Sequence, residues 1–246
     1  NGTSTLYVLT DATPYDKIVV MDLDTSATTT EFNAPDDSGQ GLTYLDGYLY
    51  YASNENEKKI YKLDPTTGAQ EDSFRPKNNG GWEIGENLLG LGNDGSDLIL
   101  SYADGWNPCL YKINEGNGDN NGQICENNDW ENALKQAKAV TVDPSGNIVV
   151  AKGDKIDKRD SEGDSTESWA GLDASDIQGM AFAGTVLYVA DAGNDKIYKT
   201  TLPHGITTSQ NPLALAANGT STLYVLTDGT PYDKIVVMDL DTSEAT

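Results

Sequence analysis

Histidine is nearly absent from this chain: His204 is the single one in 246 residues, and Cys109 and Cys125 are the only cysteines. That scarcity excludes most His- or Cys-rich metal sites. Basic residues are scarce as well, 16 Lys and Arg against 39 Asp and Glu, for a formal charge of −23 and a pI near 4.1. A field this negative repels phosphate backbones and anionic headgroups, so nucleic acid and membrane insertion are not expected. Nor does any apolar run approach the roughly 18 residues of a membrane-spanning helix. The chain is still 37% hydrophobic, enough for a sizeable core and too much for global disorder.

A compartment follows from what remains. The sequence opens at Asn1 without a methionine, a basic stretch or an apolar stretch, so any targeting segment is expected to have been removed. Two sequons, at Asn1 and Asn218, are candidate glycosylation sites in a secreted protein. Cys109 and Cys125 flank CLYKINEGNGDNNGQIC, two β-like arms around a Gly/Asn-rich turn. Antiparallel pairing of those arms brings the sulfurs together, so one disulfide is expected, as in an oxidising compartment. The alternative is a pair of unrelated buried thiols. Extracellular or cell-surface residence is the reading.

Repetition organises the chain. Residues 1–29 recur at 218–246 with three differences, a period of 217 residues. Weaker relatives lie between, anchored at Ile18, Ile60, Leu110, Ile156, Ile197 and Ile235 with gaps of 42, 50, 46, 41 and 38 residues. Repeats of that length suit propeller blades. Each unit reads as an apolar strand pair about a tight turn, such as Asp46-Gly47 or Ser145-Gly146, then a polar loop, a third strand and a more polar fourth. The fourth strands end near Phe32, Phe74, Cys125, Trp169 and Ile206; only the stretch around Glu131–Lys138 looks helical. The fold expected is an all-β propeller of about six four-stranded blades forming a single domain over 1–246. Its blade units are placed at about 1–38, 39–79, 80–130, 131–172, 173–211 and 212–246. A β-solenoid is the runner-up.

The fifth unit, GMAFAGTVLYVADAGNDKIYK, resembles the NHL repeat, and YLYYASNENEKKIYKLD is similar to a YWTD-type blade. The resemblance implies a propeller acting as a binding or scaffolding module, although related six-bladed folds include lactonases. Fold does not choose among these.

The ends are out of phase. The first unit lacks an inner strand, whereas the last has one at Leu213–Ala216 but stops where a fourth should start. Three arrangements are compatible: six blades with the first and last incomplete, a five-bladed ring followed by the start of another module, or a slice of a longer array. Unpaired sheet edges recruit strands. Self-association through the terminal blades, extending to a filament, is therefore expected of the last two; a trimmed monomeric propeller is the competing reading.

Candidate chemistry is sparse. An acidic–Lys–Ile step recurs at Asp16-Lys17-Ile18, Asp154-Lys155-Ile156 and Asp195-Lys196-Ile197. It reads better as a repeated ion pair plus a core Ile than as a functional ring of charge. The loops between strands two and three carry Asp11, Asp16, Glu55, Glu57, Asp104, Asp191, Asp195, Asp228 and Asp233, an acidic loop face suited to Ca2+. Asn117, Asp119 and Asn121 match the start of a Ca2+ loop, but Asn128 stands where its twelfth-position acid belongs. Ca2+ is the one cofactor considered. No catalytic residues are assigned, since a Ser-His-Asp triad has only His204, in a turn. A lactonase-like site would draw on Glu83, Asn93 and Asp191, which no motif selects. Among Trp82, Trp106, Trp130 and Trp169, Trp106 is the candidate glycan platform. The function expected is a non-enzymatic structural or adhesive module; a Ca2+-dependent lactonase-like hydrolase and a glycan-binding module are the alternatives.

Overall fold

A computed structural model describes residues 5–12, 14–55, 57–103, 109–126, 134, 137–169 and 174–201, and beyond these the backbone of four strands within 212–245. The chain divides into two units, Asn1–Thr201 and Leu202–Thr246.

Five antiparallel sheets make up the first unit. They are β1 (Thr5–Thr10), β2 (Lys17–Asp22) and β3 (Thr28–Asn33); β4 (Gly39–Leu45), β5 (Tyr48–Ser53), β6 (Lys59–Leu63) and β7 (Gln70–Phe74); β8 (Leu88–Asn93), β9 (Leu98–Tyr102), β10 (Cys109–Ile113) and β11 (Asn120–Cys125); β12 (Ala139–Val142), β13 (Ile148–Lys152), β14 (Lys155–Arg159) and β15 (Ser165–Trp169); and β16 (Ile177–Ala183), β17 (Val186–Asp191) and β18 (Lys196–Thr201). Each sheet is a meander of sequential neighbours. The second unit holds one sheet, β19 (Pro212–Asn218), β20 (Thr222–Thr227), β21 (Lys234–Asp239) and β22 (Glu244–Ala245).

Local chemistry sets these elements. Between β4 and β5 the chain reverses through Asp46 and Gly47, both at positive φ (49° and 88°), the geometry a two-residue hairpin demands. An Asp at the end of β2, and another just past β6, caps the turn that follows. Asp22 Oδ1 accepts from the Asp24 and Thr25 N–H groups and the Thr25 hydroxyl. Asp64 does the same for Thr66 and Thr67. These bonds stabilise the ionised carboxyl and hold both side chains below the ordinary Asp range.

Packing between sheets makes the core. Along β5, Leu49 and Tyr51 face the first sheet while Tyr50 and Ala52 face the third, so both faces are covered. Ile99, Leu110 and Ile124 of the third sheet meet Val140, Ile148 and Val150 of the fourth. The leading strands β4, β8, β12 and β16 lie side by side in that order, and β16 also approaches β4. Their backbones come close: a Cβ on Gly41 would stand 2.7 Å from the Leu91 nitrogen, and one on Gly90 2.6 Å from the Lys138 carbonyl.

The architecture is a five-bladed propeller of three- and four-stranded blades, which corrects the expectation of six four-stranded blades. The first unit contains five sheets, with three described strands in the first and fifth, and the sixth sheet belongs to the other unit. Counting repeats counts sheets; membership of a ring depends on which sheet packs on which, a non-local property. The last strands of the first four sheets end at Asn33, Phe74, Cys125 and Trp169. The expected strand end at Ile206 lies outside the described residues, as do most residues of the expected helix; of those described, Leu134 has 3₁₀ geometry, and Ala137 and Lys138 are not helical.

Candidate functional site

The first sheet is incomplete at its inner edge. In the other four blades a leading strand covers the strand that the tight turn delivers; β1 occupies that second place with nothing hydrogen-bonded on its free side among the described residues. Burial records the difference. β5, β9 and β13 are buried almost throughout, whereas every residue of β1 is half-exposed.

A slot follows this edge. A cavity of about 700 Å3 runs beside Leu6, Tyr7, Leu42, Tyr44 and Phe182. A second, of about 420 Å3, continues beside Val8, Leu9, Gly39, Met180 and Ile197. The walls are β1, β4 and the fifth blade, joined in the larger cavity by Asn93 of β8 and Thr141 and Val142 of β12. Both faces of β13 are covered, but on β17 only Leu187, Val189 and Asp191 are buried, and Tyr188 and Ala190, which border the slot, stay half-exposed. The repeat anchors make the same point. Ile18, Ile60, Leu110 and Ile156 are at most 2% exposed, while Ile197 is 39% exposed. Ile18 packs with residues of the second blade, Ile60 with the third and Leu110 with the fourth; the surface Ile197 offers is the one a complete first blade would cover. Tyr7 and Tyr44 stack across the slot, ring centroids 5.9 Å apart and nearly parallel.

At one mouth of the slot sits a polar cluster that sequence reasoning missed. The Tyr51 hydroxyl lies 2.9 Å from Asp36 Oδ1 and 3.3 Å from Asp16 Oδ2. The Ser53 hydroxyl donates to Asp36 Oδ2 at 2.7 Å, and the Gly39 N–H donates to Asp16. Burial pushes the Tyr51 phenol far above its ordinary range, helped by its bond to Asp36, and burial also raises Asp16. Phenol and hydroxyl act as donors that pin the first blade to the second. A Tyr and a Ser inside an otherwise apolar strand were the available signal.

The acidic loop face is less uniform than its sequence suggests. Asp11, Glu55, Glu57 and Asp195 are exposed, but Asp16 is only 5% and Asp191 2% exposed; Asp104, Asp228 and Asp233 lie outside the described residues. Glu57 pairs with Lys59 and Arg75. Asp191 accepts from the Ser175, Asp176 and Gly193 N–H groups and from the Asn194 amide. Burial opposes its ionisation, yet those donors prevail and hold its pKa below the ordinary Asp range. Its role is to clamp the entry to β16.

The other candidates do not converge. Asn117 and Asp119 bond each other, Asp119 pairs with Lys77, and the Asn121 amide donates to Asp97. Glu83 pairs with Arg75 on a surface hairpin, Asn93 donates to Thr43 and to the Tyr44 carbonyl, and Asp191 is engaged as above. Among the described residues no group of three or more His, Cys, Asp or Glu side chains is placed to hold a metal. Lys17 of the recurring acidic–Lys–Ile step reaches across to Glu31 rather than to Asp16. Cys109 and Cys125 stand directly opposite in the β10–β11 register and form the expected disulfide. Trp106, Trp130, His204, Asn128 and Asn1 lie outside the described residues, and Asn218 ends β19. Trp82 is 74% exposed on a hairpin whose turn is held by Asn78.

No protein-family model matches the chain, and no curated protein does. Solved structures align with the chain at low identity. Hydrazine synthase of Kuenenia stuttgartiensis aligns over 98% of this chain and 74% of that one, at 14% identity and a TM-score of 0.47. A protein of unknown function from Bacteroides caccae aligns over 97% and 91%, at 13% identity and 0.43. Glutaminyl cyclase of Myxococcus xanthus aligns over 76% and 84%, at 11% identity and 0.48. At these values the likenesses carry nothing about activity.

Proposed function

We propose that this chain is a non-enzymatic structural or adhesive propeller module of the cell surface or extracellular space, joined to neighbouring copies through its terminal blades. The observation that carries this reading is the open inner edge of β1 along a slot of mixed polar and apolar lining, in a chain whose first 29 residues recur almost unchanged at 218–246. An exposed edge strand invites pairing with another chain, and head-to-tail contacts that do not close build filaments. The Cys109–Cys125 bond supports an oxidising compartment, and the blade motifs like those of NHL and YWTD repeats support a scaffolding role. Sedimentation velocity and negative-stain microscopy of the full chain test the reading. Concentration-dependent multimers or filaments are expected; monodisperse monomers at millimolar concentration would overturn it.

Trp82 favours a second reading as a glycan platform, because a bare indole on a fixed hairpin is the surface a pyranose ring stacks against. Loss of a glycan-array signal in Trp82→Ala would support it, and an array without signal for the parent chain would remove it. Ca2+ on the acidic loops and glycans at Asn1 and Asn218 belong to the same extracellular proposal. Calorimetric titration with Ca2+ and intact-mass measurement of native material test them, heat and added hexose mass being the supporting results.

A further inference from the structure

The chain displays the NGTSTLYVLT sequence twice, and among the described residues only the second copy has a strand on its inner edge. Thr5–Thr10 and Thr222–Thr227 are both TLYVLT. In the second unit β19 pairs with this segment antiparallel, Pro212 opposite Thr227, Ala214 opposite Leu226, Ala216 opposite Tyr224 and Asn218 opposite Thr222. β1 presents the same six residues with the corresponding edge open.

β19 also has the form of a leading propeller strand. In β4, β8 and β16 the ladder to the second strand shifts by one residue between Gly39 and Gly41, Leu88 and Gly90, and Ile177 and Gly179. β19 shifts at the same place, between Pro212 and Ala214. The residue after the shift is Gly in the other three; at Gly41 and Gly90 neighbouring leading strands approach backbone to backbone, with clearances of 2.7 Å and 2.6 Å, whereas a Cβ on Gly179 would meet only the Ala190 side chain at 3.5 Å. Ala214 is the next smallest choice, and Ala216 and Ala217 keep the strand narrow.

We infer that the slot beside β1 is the docking site for residues 212–218 of a second copy of this chain, inserted as the missing leading strand of the first blade. The register carries over from the second unit: Pro212 opposite Thr10, Ala214 opposite Leu9, Leu215 opposite Val8, Ala216 opposite Tyr7, Ala217 opposite Leu6 and Asn218 opposite Thr5. Backbone hydrogen bonds to β1 supply affinity, as in other cases of strand addition. Specificity comes from the apolar side chains in the slot's mixed lining, where the incoming strand covers Ile197, Tyr188 and Met180 on one side and Leu42 on the other. Because β1 and β20 are identical in sequence, exchanging β19 from one to the other costs little, the usual condition for domain swapping. The inference rests on the self-association reading above and names its strand and register.

Paired cysteines in the full chain test it. Leu9→Cys with Ala214→Cys, and separately Tyr7→Cys with Ala216→Cys, place thiols opposite each other in the inferred register; among the described residues the parent has no free cysteine to compete. Mild oxidation at rising protein concentration is expected to give covalent multimers in steps of 26.4 kDa on a non-reducing gel. The off-register pair Leu9→Cys with Leu215→Cys is expected to stay uncrosslinked. A crosslink confined to the single-chain mass, which shows that a chain's own strand returns, overturns the inference. So does the absence of any crosslink in a variant with parental circular dichroism and melting, or equal crosslinking of the off-register pair. Assembly in the centrifuge without these crosslinks sinks the inference and leaves the broader reading standing; monomers alone sink both.

Discussion

Removing the guanidinium of Arg159 tests how the fourth blade is fastened to the third. Arg159 is 1% exposed, and its Nη1 lies 3.0 Å from Glu126 Oε1 just past the end of β11. Its Nη2 lies 3.2 Å from Asp157, and the Gly163 carbonyl accepts a further bond. At 3.0 Å and an effective dielectric near 20, the Arg–Glu attraction is about 5 kcal/mol gross, most of it offset by the desolvation of both charges. Arg159→Met forfeits the attraction but keeps Glu126 buried, and breaking a buried pair from one side costs about 3–5 kcal/mol. For a protein of this size that lowers Tm by roughly 6–20 °C. Glu126→Gln in the same chain removes the stranded charge while keeping the oxygen that accepts from the Leu134 N–H, so the double variant is expected to recover more than half of the loss. Urea titrations of the parent, both single variants and the double variant form the cycle. A single variant within about 1 kcal/mol of the parent would refute the reasoning, as would a double variant no more stable than Arg159→Met.

Replacing Cys109 and Cys125 together by Ala frees a loop with a sequence separation of 16, for an expected loss of about 3 kcal/mol; a melting curve unchanged by the substitution or by reductant contradicts this. Gly90→Ala drives a methyl to within 2.6 Å of the Lys138 carbonyl, a backbone atom that cannot swing aside, and overpacking of this kind costs about 1–3 kcal/mol; denaturant midpoints check it. Asp191 is held below the ordinary Asp pKa by its four donors. The stability it confers is therefore complete above the unfolded value near 3.9 and is lost as pH falls through the lower folded value. Asp191→Asn is expected to be less stable than the parent at pH 6, with the gap closing towards pH 2. Comparing the two chains cancels the separate effect of neutralising a −23 net charge, and a gap that widens with acid refutes the assignment.

Much of the candidate site was legible one residue at a time and illegible as a place. The alternation in YLYYAS and the Asp46-Gly47 pair announce a hairpin, because turn chemistry and two-residue periodicity act within a few residues. The Cys109–Cys125 pairing follows in the same way from two short arms around one turn. Asp16 reads as a surface acid within its loop and is buried, because Tyr51 and the Gly39 N–H of the next blade close over it. Ile197 reads as one more core anchor and is 39% exposed, because which sheet covers which face is settled between distant residues, and Ile197 lies on the wall of the slot beside β1.

The sequence by itself determined the all-β composition, the repeating unit, the turns and the pairing of the two cysteine-bearing arms, all properties of neighbours along the chain. Only the tertiary structure decided that five sheets share one unit and the sixth stands in another, and that the free edge of β1 borders a slot. A sheet's pattern states which of its faces need covering and not which other sheet covers them. That choice is made between residues far apart in the chain, where backbone approaches such as Gly41 on Leu91 set how closely the blades pack.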